Sequence, residues 1–279
     1  MEKKLVFLDI DGTLLPPGEM QVPQSALAAL HKARANGHKL FLCTGRNLGM
    51  TRQLLRHGFD GYICSAGGYV ACGEELLVDI PMQQAQADGL RKVLEEHGIE
   101  CTLETRDDTY GGVKMIERFA SHLPSDGTLN SEAERWKKMM EFGMTIRPIE
   151  EYNGDPVYKI VYIAGCMEDL TEAKRQYADQ FVFCENNVNP RAGVVNGELI
   201  NRKFNKGTGI KAICAHLGVP LRDTIGFGDS DNDLQMTDVV GISYCMANGS
   251  ENLKKLCDRI CPSVREDGIA KAFEELGLI

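Results

Sequence analysis

The apolar residues of this chain fall first into short unbroken runs. Leu5-Val6-Phe7-Leu8 is one, ended abruptly by Asp9-Ile10-Asp11-Gly12. A run without polar alternation suits a strand buried on both faces of a parallel sheet. Lys39-Leu40-Phe41-Leu42-Cys43 and Tyr62-Ile63-Cys64-Ser65 read the same way, and the former stops at Thr44-Gly45-Arg46. Between these runs the period changes. Leu27, Leu30 and Ala33 recur at helical intervals across residues 25–35, with Gly37 placed to end the helix. Asn47 can cap a second helix that Gly58 closes. From Leu5 to Ser65 strand and helix therefore alternate at the spacing of a doubly wound α/β fold.

From about Met82 to Arg191 the predicted helices are longer and more polar. The strand candidates, Glu100 to Thr105, Tyr110 to Val113 and Val157 to Ile163, read as separate alternating segments. Pro81 and Asn189-Pro190 mark credible boundaries. Strand–helix alternation then returns. Thr208 to Leu217 is a helix stopped by Gly218, Thr224 to Gly228 is a buried strand ended by Asp229, and Val239 to Cys245 is another strand. The expected architecture is a doubly wound, Rossmann-like parallel α/β core made of residues 1–81 and 191–279. An α+β domain, residues 82–190, is inserted into it.

Composition narrows the partners. Lys and Arg number 31 against 40 Asp and Glu, a formal net charge of -9 over 279 residues. That weighs against a nucleic acid or an anionic membrane surface, both of which select positive charge. An anionic substrate would need local positive charge, from a metal or a placed lysine. The 10 Cys are scattered singly with no C-x-x-C pair, and Cys43, Cys64 and Cys214 sit inside apolar runs, which suits small core residues better than zinc ligands. The N-terminal apolar run spans only Leu5 to Leu8, too short for a leader, and no stretch reaches transmembrane length. A cytoplasmic protein with reduced thiols is expected, as a monomer or small homo-oligomer.

Four clusters fall where a doubly wound sheet places its ligands, beyond the carboxyl ends of strands. They are Asp9-Ile10-Asp11-Gly12-Thr13, Thr44-Gly45-Arg46, Lys206-Gly207 and Gly228-Asp229-Ser230-Asp231-Asn232-Asp233. Asp9 and Asp11, two apart, are expected to bring their carboxylates close together. Close like charges repel unless a cation sits between them, and a hard cation such as Mg²⁺ suits carboxylate ligands and bridges to phosphate. The last cluster adds oxygen ligands of the same kind. Thr44, the amides after it and Lys206 supply donors for phosphate oxygens.

Competing readings fail on spacing. A turn of this kind can be a mere helix cap or Asx-turn, but four clusters in order at strand ends make that improbable. Asp229-x-Asp231-x-Asp233 opens like a calcium loop, yet its sixth position is Leu234 instead of Gly and its twelfth Val240 instead of Glu. No Cys has an Arg six residues on, Lys206 lacks the upstream Gly of a P-loop, and Gly207-Thr208-Gly209 is too short for a dinucleotide fingerprint. The 6 His form no metal-ligand spacing.

These motifs resemble those of the haloacid dehalogenase (HAD) superfamily, and more narrowly the Cof-type phosphatases with a type IIB cap. Phe7-Leu8-Asp9-Ile10-Asp11-Gly12-Thr13-Leu14 and Gly226-Phe227-Gly228-Asp229-Ser230-Asp231-Asn232-Asp233 carry the likeness. Cys43-Thr44-Gly45-Arg46, Asn205-Lys206-Gly207, Cys245-Met246-Ala247-Asn248 and Glu266-Asp267-Gly268 support it. The resemblance implies roles. Asp9 is the nucleophile that becomes an aspartyl phosphate, and Asp11 protonates the leaving group and then activates water. Thr44, Gly45 and Lys206 hold the phosphoryl group, with Asn232 beside them. Asp229 binds Mg²⁺ together with the Asp9 carboxylate and the Asp11 backbone carbonyl, and Asp233 orients Lys206 or a metal-bound water. The implied reaction is hydrolysis of a small phosphorylated metabolite, a sugar phosphate or a phosphorylated cofactor. A phosphomannomutase-like activity is the nearest alternative, and a non-catalytic phosphometabolite-binding protein a more distant one. One departure is Ser65-Ala66-Gly67-Gly68, where the family usually carries Asn-Gly-Ala after the third strand. In the insert, Arg106, Tyr110, Lys114 and Arg191 are polar enough to line a pocket, although a solvated surface suits each of them better.

Overall fold

The computed structural model describes residues 3–112, 146–189 and 194–279. In chain order the strands are β1 (Leu5–Leu8), β2 (Lys39–Cys43), β3 (Gly61–Cys64), β4 (Tyr69–Cys72), β5 (Glu75–Asp79), β6 (Glu100–Thr105) and β7 (Thr109–Gly111). They continue as β8 (Ile146–Pro148), β9 (Val157–Ala164), β10 (Phe181–Asn189), β11 (Val194–Asn201), β12 (Thr224–Gly228), β13 (Ile242–Met246) and β14 (Arg259–Cys261). The helices of the described residues are α1 (Gln24–Ala35), α2 (Leu48–Leu55), α3 (Gln84–Glu96), α4 (Thr171–Tyr177), α5 (Lys206–Leu217), α6 (Leu234–Thr237), α7 (Glu251–Leu256) and α8 (Gly268–Glu275). The chain divides into two compact units, Met1–Asp79 with Phe204–Ile279, and Ile80–Lys203.

The first unit is built on one sheet with strand order β14-β13-β12-β1-β2-β3-β4-β5. β14 through β3 run parallel, and the β4–β5 hairpin adds an antiparallel edge. Each unbroken apolar run becomes a strand covered on both faces. Val6, Leu8, Leu40, Leu42 and Phe227 pack on α1 and α8 through Leu30, Ala33 and Phe273. Leu5, Phe7, Phe41, Cys43 and Ile63 face the other way, onto Ile210, Ile213 and Cys214 of α5. Helices on both faces of a parallel sheet are what the strand–helix alternation predicted.

The second unit carries a separate sheet with order β10-β11-β9-β6-β7-β8. One face is apolar: Leu103, Ile160, Tyr162 and Leu199 pack against Leu90 and Leu94 of α3 and Ala173 of α4. The chain returns to the first unit later than expected. The boundary read at residues 190–191 is corrected to Lys203–Phe204, because β11 pairs antiparallel with both β10 and β9 and so belongs to the second sheet. An apolar run such as Val194-Val195 reads as a strand in either sheet, and only the pairing of distant segments assigns it. The observed β13 and α5 also begin at Ile242 and Lys206, instead of at Val239 and Thr208. Val113, expected to end the strand that begins at Tyr110, lies outside the described residues.

Opposite its apolar face the second sheet buries a charged group. Lys159 on β9 donates to Glu198 on β11 at 2.8 Å and lies 3.2 Å from Glu104 on β6, with side-chain exposures of only 4%, 13% and 6% for Lys159, Glu198 and Glu104. Removing one partner of a buried ion pair takes away charge compensation that water cannot readily replace. Lys159→Met should therefore lower unfolding stability by about 3–5 kcal/mol, read from chemical denaturation. A loss below about 1 kcal/mol, the range of exposed pairs, would show that these carboxylates remain solvated.

Candidate active site

The carboxyl ends of β1, β2 and β12 lie side by side, in register from Leu8 to Leu42 and Phe227. Asp9 follows β1 directly, and its backbone N–H extends the ladder by donating to the Phe227 carbonyl at 2.9 Å. Asp229 follows β12 one residue past its end. Gly12 turns the chain after Asp9 at φ +79°, a left-handed conformation costly for other residues. A Cβ there would stand 2.1 Å from an Asp229 carboxylate oxygen, so glycine is also what lets the two loops meet. The turn is held from a third strand: Asn248, after β13, donates from Nδ2 to the Gly12 carbonyl at 2.8 Å and accepts from the Val264 N–H at 3.0 Å.

Lys206 opens α5, whose N-terminus is capped reciprocally by Asn205 and Thr208. A Cβ on Gly207 would lie 2.3 Å from the Gln235 carbonyl, so this helix start sits tight against the α6 segment. The Lys206 ammonium, 2% exposed, donates to Asp9 Oδ1 at 2.7 Å, Asp233 Oδ1 at 2.6 Å and Asn232 Oδ1 at 3.0 Å. Asp233 is fixed in turn: its Oδ2 accepts from the backbone N–H groups of Asp229 and Ser230 at 3.0 and 3.2 Å.

Asp9, Asp229 and Asp233 are all buried, and each offers a carboxylate oxygen within 4.8 Å of the others'. Three carboxylates against one ammonium leave the cluster with excess negative charge, and its pKa values register the strain. Burial, with neighbouring carboxylates adding to it, pushes Asp9 and Asp229 well above the ordinary carboxylate range, although Lys206 pulls both back. Burial works against the Lys206 ammonium as well, yet Asp233 and Asp9 outweigh it and hold this lysine above its ordinary value. An all-oxygen, over-charged, buried set of this kind fits a hard divalent cation.

The expected juxtaposition of Asp9 and Asp11 takes a different form. Among the described residues the metal-competent cluster contains Asp9, Asp229 and Asp233 and not the Asp11 carboxylate. Asp11 is engaged by Arg46, whose Nε and Nη2 donate to its two oxygens at 2.9 and 2.6 Å. Thr44, buried after β2, accepts the Arg46 N–H on Oγ1 at 3.1 Å, and Gly45 lies between them in the same loop. Thr13 and Ser65 each bury a hydroxyl with no hydrogen-bond partner among the described residues. Ser65 and Ala66 both adopt left-handed backbone, φ 49° and 57°, a strained pair where the sequence departs from the family pattern.

The structure thus gathers Asp9, Asn232 and Asp233 around the Lys206 ammonium, with Asp229 beside the Asp9 and Asp233 carboxylates, and joins Asp11 to the Thr44-Gly45-Arg46 loop through one guanidinium. Sequence reasoning assigns no role to Arg46 or Asn248, although both stand inside the motifs that carry the resemblance. Of the polar residues picked from the insert, Tyr110 is core: it is 1% exposed and packs edge-on to Tyr152 at 5.4 Å between ring centres. Arg106 is exposed and pairs with Asp107. Lys114 and Arg191 lie outside the described residues. The buried thiols are poor nucleophiles, since burial pushes Cys64 up to about 12. No helix of the described residues is long and apolar enough to cross a membrane.

Residues 6–273 match the family model of haloacid dehalogenase-like hydrolases. The chain is 25% identical to 5-amino-6-(5-phospho-D-ribitylamino)uracil phosphatase YitU of Bacillus subtilis (strain 168), covering 99% of this chain and 98% of that one. It is 28% identical to the HMP-PP phosphatase of Yersinia enterocolitica over 257 residues, 90% of this chain and 86% of the other. Among solved structures, the subclass IIB sugar phosphatase BT4131 shares the fold with a TM-score of 0.77 at 24% identity, covering 99% of this chain and 100% of that one.

Proposed function

Because this chain belongs to the haloacid dehalogenase-like hydrolases and is a phosphatase, we propose that it hydrolyses a small phosphomonoester with Mg²⁺ through an aspartyl-phosphate intermediate. The supporting observation is the Lys206 ammonium shared by Asp9 and Asp233 beside buried Asp229. A reactive carboxylate, a fixed cation and an acidic metal set meet at the ends of adjoining strands.

In the first step an Asp9 oxygen attacks phosphorus. The bond from phosphorus to the ester oxygen breaks, and Asp11 gives that oxygen its proton. In the second step Asp11 takes a proton from water as the water oxygen attacks the same phosphorus, which releases inorganic phosphate and restores Asp9. Lys206, the Thr44 hydroxyl and the Gly45 amide hold the phosphoryl oxygens, with Asn232 beside them, and Asp233 keeps Lys206 in place. Phosphoryl transfer asks mainly for positioning and charge neutralisation, which such a set supplies. Asp9, Asp229 and Asp233, with the Asp11 backbone carbonyl, would hold Mg²⁺, which neutralises charge on the transferring group when bound.

The relatives suggest the substrate class. The substrates in their names are a ribitylamino-pyrimidine phosphate and HMP-PP, so a phosphorylated metabolite of cofactor or sugar type is the first panel to screen. The inserted unit, whose chain rejoins the core just before Lys206, is proposed as the selector among such substrates. With 10 cysteines none of which is disulfide-bonded, a cytoplasmic setting is proposed as well.

Metal dependence tests this reading. Exhaustive chelation should abolish hydrolysis of p-nitrophenyl phosphate, and Mg²⁺ should restore it. Mg²⁺ should also raise the melting temperature of the resting protein, since binding at 100 times Kd adds about 2.7 kcal/mol to stability. Asp229→Ala should lose both responses. Full turnover after chelation would overturn the metal assignment, and absence of turnover on every phosphomonoester would overturn the function.

A further inference from the structure

Arg46 is set up as no surface arginine would be. Its guanidinium meets both Asp11 oxygens, Nε to Oδ2 at 2.9 Å and Nη2 to Oδ1 at 2.6 Å, and its side chain is 10% exposed. Its backbone is tied at both polar atoms. The N–H donates to Thr44 Oγ1 at 3.1 Å, and the carbonyl accepts from the Ser65 N–H at 2.8 Å. The Thr44 carbonyl accepts from Ala66 at 3.0 Å, so this loop is stapled to the left-handed turn at Ser65 and Ala66. On its other side Asn47 caps α2 by accepting from the Met50 N–H at 3.0 Å. The guanidinium therefore starts from a fixed Cα, and its planar fork fixes the carboxylate plane in turn.

We propose that Arg46 is a positioning residue for the phosphatase reaction: it holds the Asp11 carboxylate in the single orientation from which proton transfer can occur. The proposal rests on the acid–base reading of Asp11 given above. The Asp11 side chain is 22% exposed, and two parallel hydrogen bonds from one guanidinium restrict its rotation among staggered rotamers more than a single contact does. Proton transfer needs the acid within hydrogen-bond reach of its target, and a misplacement near 1 Å costs on the order of 10²-fold. A two-pronged guanidinium engages one lone-pair site on each carboxylate oxygen, and so fixes the carboxylate plane and its direction together. A lysine ammonium is a point charge and would hold one oxygen while leaving the plane free to turn.

A double-mutant cycle tests this, with kcat and KM for p-nitrophenyl phosphate measured in saturating Mg²⁺ on wild type, Arg46→Ala, Asp11→Asn and the double variant. Arg46→Ala should lower kcat roughly 10- to 100-fold with KM within about threefold, the signature of lost alignment. The double variant should be no slower than Asp11→Asn alone, within about threefold, because the two residues act as one unit. Arg46→Lys should fall between wild type and Arg46→Ala, and it carries the test should Arg46→Ala fold poorly. Two results would overturn the proposal by itself: losses that multiply in the double variant, or a raised KM at unchanged kcat. Either would make Arg46 a direct phosphate ligand. Wild-type turnover by Asp11→Asn would instead bring down the acid–base reading, and this proposal with it.

Discussion

Asp9→Asn is expected to be inert and to form no phosphoenzyme, whereas Asp11→Asn is expected to trap one. The two residues stand two apart in the same loop, and a simple electrostatic view would make them interchangeable. Their surroundings argue otherwise. Asp9 is buried in the carboxylate cluster on the Lys206 ammonium, while Asp11 is turned onto Arg46. Removing the atom that bonds to phosphorus should drop turnover at least about 10⁴-fold, in the range seen for lost nucleophiles. The Asp9→Asn protein should nevertheless fold at least as well as wild type, because an amide removes a charge that burial, with like-charge crowding adding to it, already disfavours. Loss of activity thus cannot be charged to unfolding, and a melting curve beside the assay checks this. Asp11→Asn loses the proton-transfer group, typically about 10²–10⁴-fold. Substrates with good leaving groups should still phosphorylate Asp9, and the intermediate should then persist because water lacks its base. Rapid quench of Asp11→Asn with labelled acetyl phosphate, followed by peptide mapping, should place the label on Asp9. Label elsewhere, or wild-type activity in Asp9→Asn, would refute the covalent mechanism.

Lys206→Ala should lose about 10²-fold or more in kcat, the usual size of one preorganised charge contact on a transferring group. The structure adds an effect on stability. Lys206 is the cation shared by Asp9 and Asp233, and its loss leaves buried carboxylates facing one another. The metal-free variant should therefore melt below wild type, and Mg²⁺ should recover more stability in the variant than in wild type because it replaces the missing charge. Turnover within about threefold of wild type would remove Lys206 from the site. A melting temperature unchanged in the absence of metal would show that the carboxylates are protonated or hydrated in the resting protein.

Much of this site is legible in the amino-acid sequence because its signals are local. The run Leu5 to Leu8 has no polar residue and must be covered on both sides, and it ends at Asp9 because a charge cannot continue into such a core. Gly12, Asn47 and Gly218 mark turns and caps whose backbone requirements are met within a few residues. Three such strand ends carrying acidic or hydroxyl residues, in a chain of alternating strands and helices, locate a ligand site at the sheet's carboxyl edge. The sequence therefore determined the α/β core, the four clusters and the chemistry their side chains can perform.

What only the tertiary structure decided is partnership across long separations. Lys206 reaches Asp9 over 197 positions, and Asn248 holds Gly12 over 236. Neither pairing has a periodicity that could announce it. Asp11 reads as a close companion of Asp9 because two positions separate them, yet its carboxylate goes to Arg46, 35 residues away, brought within reach by the pairing of β1 with β2. Val194–Asn201 lies past the boundary expected at residues 190–191, yet its register with β9 and β10 assigns it to the second sheet. Local sequence sets which backbone shapes and side-chain chemistries are available. Which of them meet depends on burial and strand register summed over the whole chain, and no short segment carries that information.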